Sequence, residues 1–137
     1  MDTPSILSKN LSLENWGLVP YKIAFDRQAE YVQEIQQGLR QQTLVLCSHS
    51  PVVTLGRGTK KGDLFARTGE TLEVNRGGRA TYHGPSQVVM YPLINLDQSY
   101  TSKTGEILKP RDLHGWIRRL ESIVINTLSQ YLSLIHI

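Results

Sequence analysis

The residues best suited to chemistry lie in one stretch, Asn75-Arg76-Gly77-Gly78-Arg79-Ala80-Thr81-Tyr82-His83-Gly84-Pro85-Ser86-Gln87. Adjacent glycines let a ligand approach backbone N–H groups closely, and either can take a positive φ. Successive amides in such a turn form a nest for an anion or a carbonyl oxygen. Arg76 and Arg79 add charge-assisted donors. Beyond them, alternation along an extended segment places Thr81 and His83 on one face. An imidazole has an ordinary pKa of about 6.5 and suits proton exchange near neutrality. The competing reading is an ordinary hairpin loop with surface arginines and a structural histidine.

Other candidates carry less. His49, between Ser48 and Ser50, reads as structural, and His114 as exposed on the first turn of a helix. No histidines or acids have metal-ligand spacing, so no metal is expected. Cys47 closes an apolar strand, where burial raises a thiol pKa and disfavours the nucleophilic thiolate; core packing is the expectation.

These groups need elements to position them. A short strand is expected near Leu11–Trp16. Tyr21, Ala24, Phe25, Gln28, Val32, Ile35 and Leu39 recur at helical spacing, giving an amphipathic helix that ends near Gly38. Residues 43–47 read as a buried strand, and 52–56 resume extended structure before the turn Gly56-Arg57-Gly58-Thr59-Lys60-Lys61-Gly62-Asp63. Residues 71–75 alternate as a half-buried strand and 87–96 form another, with Pro92 pointing to an edge or a bulge. Leu113, Trp116, Ile117, Leu120, Val124, Thr127, Leu128 and Tyr131 share a helical stripe, with Asp112 as N-cap.

Composition sets the class. The 137 residues, 39% hydrophobic and 20% charged, suit one globular domain or part of one. No apolar run reaches the roughly 20 residues of a membrane span, and the N-terminus lacks a secretory pattern, which places the chain in the cytoplasm by default. One cysteine fits a reducing compartment. A net charge of +3, scattered apart from Arg57-Gly58-Thr59-Lys60-Lys61 and Arg118-Arg119, argues against nucleic acid. The same mild bias favours acidic protein partners through electrostatic steering.

The block from Arg76 to Leu96 resembles the signature of the lipoyl(octanoyl) transferases, whose members carry Arg-Gly-Gly, then Thr-x-His-Gly-Pro-Gly-Gln, then a strand. Trp16–Gln28, His49–Gly58 and Arg111–Tyr131 resemble further family segments in the right order. Ser86 departs from the usual glycine, and Cys47-Ser48 from a position where an acid is common. The resemblance implies an α+β fold, a mixed sheet packed by helices as in biotin and lipoate protein ligases. It implies transfer of an octanoyl group from acyl carrier protein to a lysine of lipoyl domains, those of 2-oxoacid dehydrogenase E2 subunits and the glycine cleavage H protein. No cofactor is implied.

By that resemblance Arg76, Gly77, Gly78, Arg79, Ala80, Thr81, Tyr82 and His83 bind the substrate. The family's acyl-accepting cysteine and its lysine lie downstream of the long helix; neither Cys47 nor Lys109 matches them. The expectation is therefore an incomplete domain over residues 1–132, a non-native tail at 133–137, and a chain inactive alone. Two alternatives remain, an ATP-dependent lipoate or biotin ligase and a non-catalytic acyl-binding fragment.

Overall fold

The computed structural model describes residues 11–64 and 69–132. They belong to two compact units, Leu11–Ile94 and the segment from Asn95 onward. The family-type expectation of a mixed α+β architecture holds: among the described residues, parallel and antiparallel pairings occur together in small sheets, accompanied by two helices.

In the first unit, β2 (Gln42–Ser48) is central, with β1 (Leu11–Leu18) parallel on one side and β6 (Val89–Leu93) antiparallel on the other. Thr43, Val45 and Cys47 alternate inward, as the two-residue period of a strand requires. Their inward row continues into His49, which is fully buried. β6 lies at the sheet edge and opposes Pro92 to Leu44, where the missing proline N–H is tolerated. It is shorter than residues 87–96. β1 runs two residues beyond Trp16, past an irregularity at Gly17.

Helix α1 (Tyr21–Gln36) follows Pro20, whose carbonyl accepts the Ala24 amide at 3.1 Å. The helix stops because Gly38 turns left-handed at φ 73°. The Leu39 amide then reaches the Glu34 carbonyl at 2.8 Å and the Gly38 amide the Ile35 carbonyl at 3.1 Å, which satisfies two carbonyls the helix leaves open. The covered face is Tyr21, Ala24, Gln28, Tyr31 and Ile35. Phe25, Val32 and Leu39 of the expected stripe are exposed instead. Spacing defined the helix correctly but set its buried face too wide.

One carboxylate ties α1 to β1. Glu14 accepts from the Trp16 indole at 3.0 Å, the Tyr31 hydroxyl at 2.8 Å and Arg40 at 3.2 Å. The Trp16 hydrogen bond, with those of Tyr31 and the Arg40 charge, holds the Glu14 carboxyl below its ordinary range. Behind this network, Val19, Ala24 and Cys47 pack with Trp16, Val89 and Tyr91.

A second sheet orders β4 (Glu70–Glu73), β3 (Val52–Leu55) and β5 (Thr81–His83), with β3 parallel to β4 and antiparallel to β5. β4 begins one residue before the expected 71–75 and ends two earlier.

The segment from Asn95 contains a hairpin that sequence reading did not foresee, β7 (Tyr100–Thr101) with β8 (Ile107–Leu108). Strands of two residues carry too little periodicity to be read. Arg111 takes a left-handed φ of 57°, held by its amide on the Leu96 carbonyl at 2.7 Å and its guanidinium on Asp97 at 2.5 Å. Asp112 then caps α2 (Leu113–Leu132), accepting the Gly115 amide at 2.9 Å, as expected of an N-cap. His114 is exposed, also as expected.

The α2 stripe is not covered. No residue of this helix is buried, and Ile117, Leu120, Val124 and Leu128 are all exposed. The expected tail, 133–137, lies outside the described residues. Among those residues no helix is long and apolar enough to cross a membrane.

Val45, at 0% exposure in the central strand, tests the first core. Val45→Ala is expected to lower the unfolding free energy by about 2 kcal/mol, the loss of two buried methyl groups plus an incompletely closed cavity. Urea titration of the two proteins measures this.

Candidate functional site

β3 and β4 run parallel and leave their sheet side by side, so the loops that follow them are neighbours. The ladder continues past the strands: the Val74 amide donates to the Leu55 carbonyl at 3.0 Å, Arg57 to Arg76 at 3.0 Å and Gly58 to Gly78 at 2.9 Å. The Gly56–Gly58 turn thus lies backbone to backbone against Arg76–Gly78. Gly56 permits this approach, because a Cβ there would sit 2.5 Å from the Gly78 carbonyl oxygen and 3.0 Å from that of Gly77. Thr59 closes the turn, with its amide at 3.0 Å and its hydroxyl at 2.7 Å from the Gly56 carbonyl.

Gly78 takes φ 79°, while Gly77 has an ordinary φ and open space where a Cβ would be. Their carbonyls turn inward to Gly58 and Arg76. No described residue accepts a hydrogen bond from the Gly77 or Gly78 amide. Both glycines are exposed, so two adjacent donors stand open to solvent or to a ligand.

The two arginines are placed differently from free ligand donors. Arg76 donates to the Gly77 carbonyl at 2.9 Å, the Thr54 carbonyl at 3.2 Å, the Thr54 hydroxyl at 2.8 Å and the Thr81 hydroxyl at 2.8 Å. It clamps its own loop across β3 and β5. Arg79 is paired through two nitrogens with both carboxylate oxygens of Asp63. That Arg79 hydrogen bond, with the Lys60 amide, pulls the Asp63 carboxyl down to about 2. Asp63 thereby joins the 60–63 turn to the glycine loop.

His83 stands where β5 passes β3. Its Nδ1 is 2.9 Å from Gln87 Oε1 and its Nε2 3.5 Å from the Thr54 hydroxyl. Thr81 and His83 do share a face, linked through Thr54, while Tyr82 turns to the other side and is 55% exposed. Ala80 is half-buried between the arginine loop and β5.

Behind His83 lies an aromatic cluster. Tyr21 stacks on it at 5.6 Å between ring centres, and His49 meets it edge-on at 5.8 Å. His49 is pinned, with Nδ1 2.8 Å from the Val19 carbonyl and Nε2 2.8 Å from the Tyr91 hydroxyl. A carbonyl only accepts, so Nδ1 carries the proton and Nε2 accepts from the phenol. Burial pushes the Tyr91 hydroxyl well above its ordinary pKa and keeps it a donor. The structural reading of His49 is correct. So is that of Cys47, which is 5% exposed, with burial pushing its thiol up.

An open groove of about 570 Å³ adjoins the Gly56 turn. Leu55, Leu64 and Val74 give it apolar wall, and Arg57, Lys60 and Lys61 outnumber Glu73 in its charged lining. Sequence reading noted those cations but missed Gly56, Thr54, Asp63 and Tyr21 as parts of the site. A second glycine cluster, Gly56-Arg57-Gly58, was the available signal for the paired loop; long-range partners such as Thr54 leave none. Ser86, the departure from the family's glycine, does not take a positive φ, so this position does not demand glycine.

Residues 20–136 match the family described as the lipoyl protein ligase A/B catalytic domain, and the chain belongs to that family. It is similar to an octanoyltransferase of Bdellovibrio bacteriovorus, 38% identical over 122 residues, 89% of this chain and 53% of the relative. Octanoyltransferases of Syntrophotalea carbinolica and Citrifermentans bemidjiense are 37% and 39% identical over 115 and 109 residues, covering 84% and 80% of this chain and 50% and 48% of those relatives. The chain spans about half the length of the curated relatives it matches.

Two outcomes test the paired loops. Gly56→Ala is expected to destabilise the fold by about 1–3 kcal/mol through overpacking and to speed hydrogen exchange at the Gly58 amide. Asp63, whose folded pKa is lowered to about 2, contributes stability that is complete above its unfolded value of about 3.9. That contribution disappears as pH falls from about 4 to 2. Acid titration of Asp63→Asn should lack this portion of the pH slope.

Proposed function

We propose that this chain serves in moving an octanoyl group from the thioester of acyl carrier protein to a lysine amine on a lipoyl domain, the opening step of protein lipoylation. The acceptors are E2 subunits of 2-oxoacid dehydrogenases and the glycine cleavage H protein. The observation that carries this reading is the pair of unpartnered amides at Gly77 and Gly78, in a chain whose relatives are named octanoyltransferases.

Acyl transfer develops negative charge on the carbonyl oxygen, and preorganised N–H donors lower that barrier most when water is excluded. The segment Arg76–His83 is the substrate-binding segment in this reading. Arg76 and Arg79 hold its shape, Gly77 and Gly78 face the carbonyl, and Ala80, Thr81 and Tyr82 carry the chain to His83. Leu55, Leu64 and Val74 offer apolar surface to the acyl chain, and Arg57, Lys60 and Lys61 offer charge to an acidic carrier.

Such enzymes pass the acyl group through a cysteine. The sequence contains one cysteine, Cys47, whose burial and raised thiol pKa are unsuited to that role. The 137-residue chain is accordingly proposed to bind the donor without turning it over.

Immobilised chain should retain octanoyl-carrier protein more strongly than the unacylated carrier. Gly77→Val, whose Cβ would stand in open space, should weaken that retention at least tenfold. Equal retention of both carriers would remove the reading. Adenylate formation from ATP and free octanoate would replace it with the ligase alternative.

A further inference from the structure

We propose that the groove beside the Gly56–Gly58 turn binds a phosphate ester borne on an apolar chain, with Arg57, Lys60 and Lys61 holding the phosphate. The inference rests on the acyl-transfer reading only in giving this groove an apolar chain, and deepens it by naming the anion the groove takes.

These three cations differ from the others of their unit. Within Leu11–Ile94, Lys22 pairs with Asp26, Arg27 lies over the Trp16 ring and Arg40 bridges Glu14 and Glu34. Arg76 is bonded to Thr54 and Thr81, and Arg79 to Asp63. Among the described residues of this unit, only Arg57, Lys60 and Lys61 are cations whose side chains have no ion pair, hydrogen bond or ring contact. All three are exposed and all three line the same groove. A concavity lined by one sign of charge concentrates its field on a counter-ion.

The acid nearest in sequence cannot neutralise them. Asp63 Oδ2 accepts the Lys60 amide at 2.8 Å and Arg79 Nε at 2.9 Å, and Oδ1 is paired with a second Arg79 nitrogen. The Lys60 ammonium acts on that carboxylate through its charge alone. Glu73 is the one acid of the groove lining, so three cations face one anion, an excess of two. A phosphate monoester carries about −1.5 to −2 at neutral pH, which matches that excess; a carboxylate carries half as much. The Arg57 fork and the compact lysine charges both suit phosphate oxygens.

The rest of the lining is apolar. Leu55 and Val74 are neighbours at the ends of β3 and β4, joined by the Val74 amide on the Leu55 carbonyl at 3.0 Å, and Leu64 is 39% exposed on the same groove. At about 570 Å³ the groove has room for a medium alkyl chain with its phosphate. It is open to water, so its charges are screened and binding must weaken with salt.

Titration of the 15N-labelled 137-residue chain with octyl phosphate tests the site. Octyl phosphate should shift the Lys60, Lys61 and Val74 amides and bind roughly tenfold tighter than octanoate, an advantage that shrinks as salt rises. Inorganic phosphate, without the chain, should bind roughly tenfold more weakly than octyl phosphate. The double substitution Lys60→Gln and Lys61→Gln removes no side-chain hydrogen bond or ion pair and should bring octyl phosphate down to the octanoate level. Lys103→Gln, in the β7–β8 connection, should change nothing. Equal binding of octyl phosphate and octanoate, or of octyl phosphate and inorganic phosphate, overturns the proposal. So do shifts confined to amides away from the groove, such as Gly77 and Gly78, or undiminished binding by the folded double variant. No carrier protein is present, so this site and the retention of octanoyl-carrier protein can fail separately.

Discussion

The glycine loop keeps its shape because one guanidinium sits where two strands and a turn converge. Arg76 donates to Thr54 on β3, to Thr81 at the start of β5 and to the Gly77 carbonyl. A flexible double-glycine segment is entropically costly to order, and a planar donor fork satisfies several acceptors at once with little further loss. Gly56 completes the arrangement by letting the second loop dock without a side chain between them. The loop thus depends on a cation bonded within its own chain.

The same economy appears around His49. A histidine with Val19 on one nitrogen and Tyr91 on the other ties the entrance of α1 to β6 through the end of β2. It also supplies the surface against which Tyr21 and His83 rest. Local rigidity at the site comes from these polar contacts, since the neighbouring apolar cluster is small.

Sequence alone located the glycine loop, the strand that contains Cys47, the capped final helix and, as one of two readings of Pro92, the edge position of β6. Each has a local signature: paired glycines, a β-branched apolar run, an aspartate before a periodic stripe, a proline within a strand. What escaped was decided over long distances. Arg76 and Arg79 read as ligand donors because nothing nearby in sequence announces Thr54 or Asp63 as their partners. Phe25 and Val32 read as core because helical spacing gives a face without its width. Gln87 stood in the quoted motif, yet only folding brings its amide to the imidazole.

Helix α2 has a thermodynamic character of its own. Its apolar ridge of Ile117, Leu120, Val124 and Leu128 already meets solvent in the folded state, so unwinding it hydrates little new hydrocarbon. The heat-capacity increment of unfolding scales with newly wetted apolar area, and residues 113–132 contribute little to it. Three β-branched residues in succession, Ile123, Val124 and Ile125, lower intrinsic helicity further. The Asp112 cap is left to offset that weakness, and a helix of this character is expected to fray gradually with temperature.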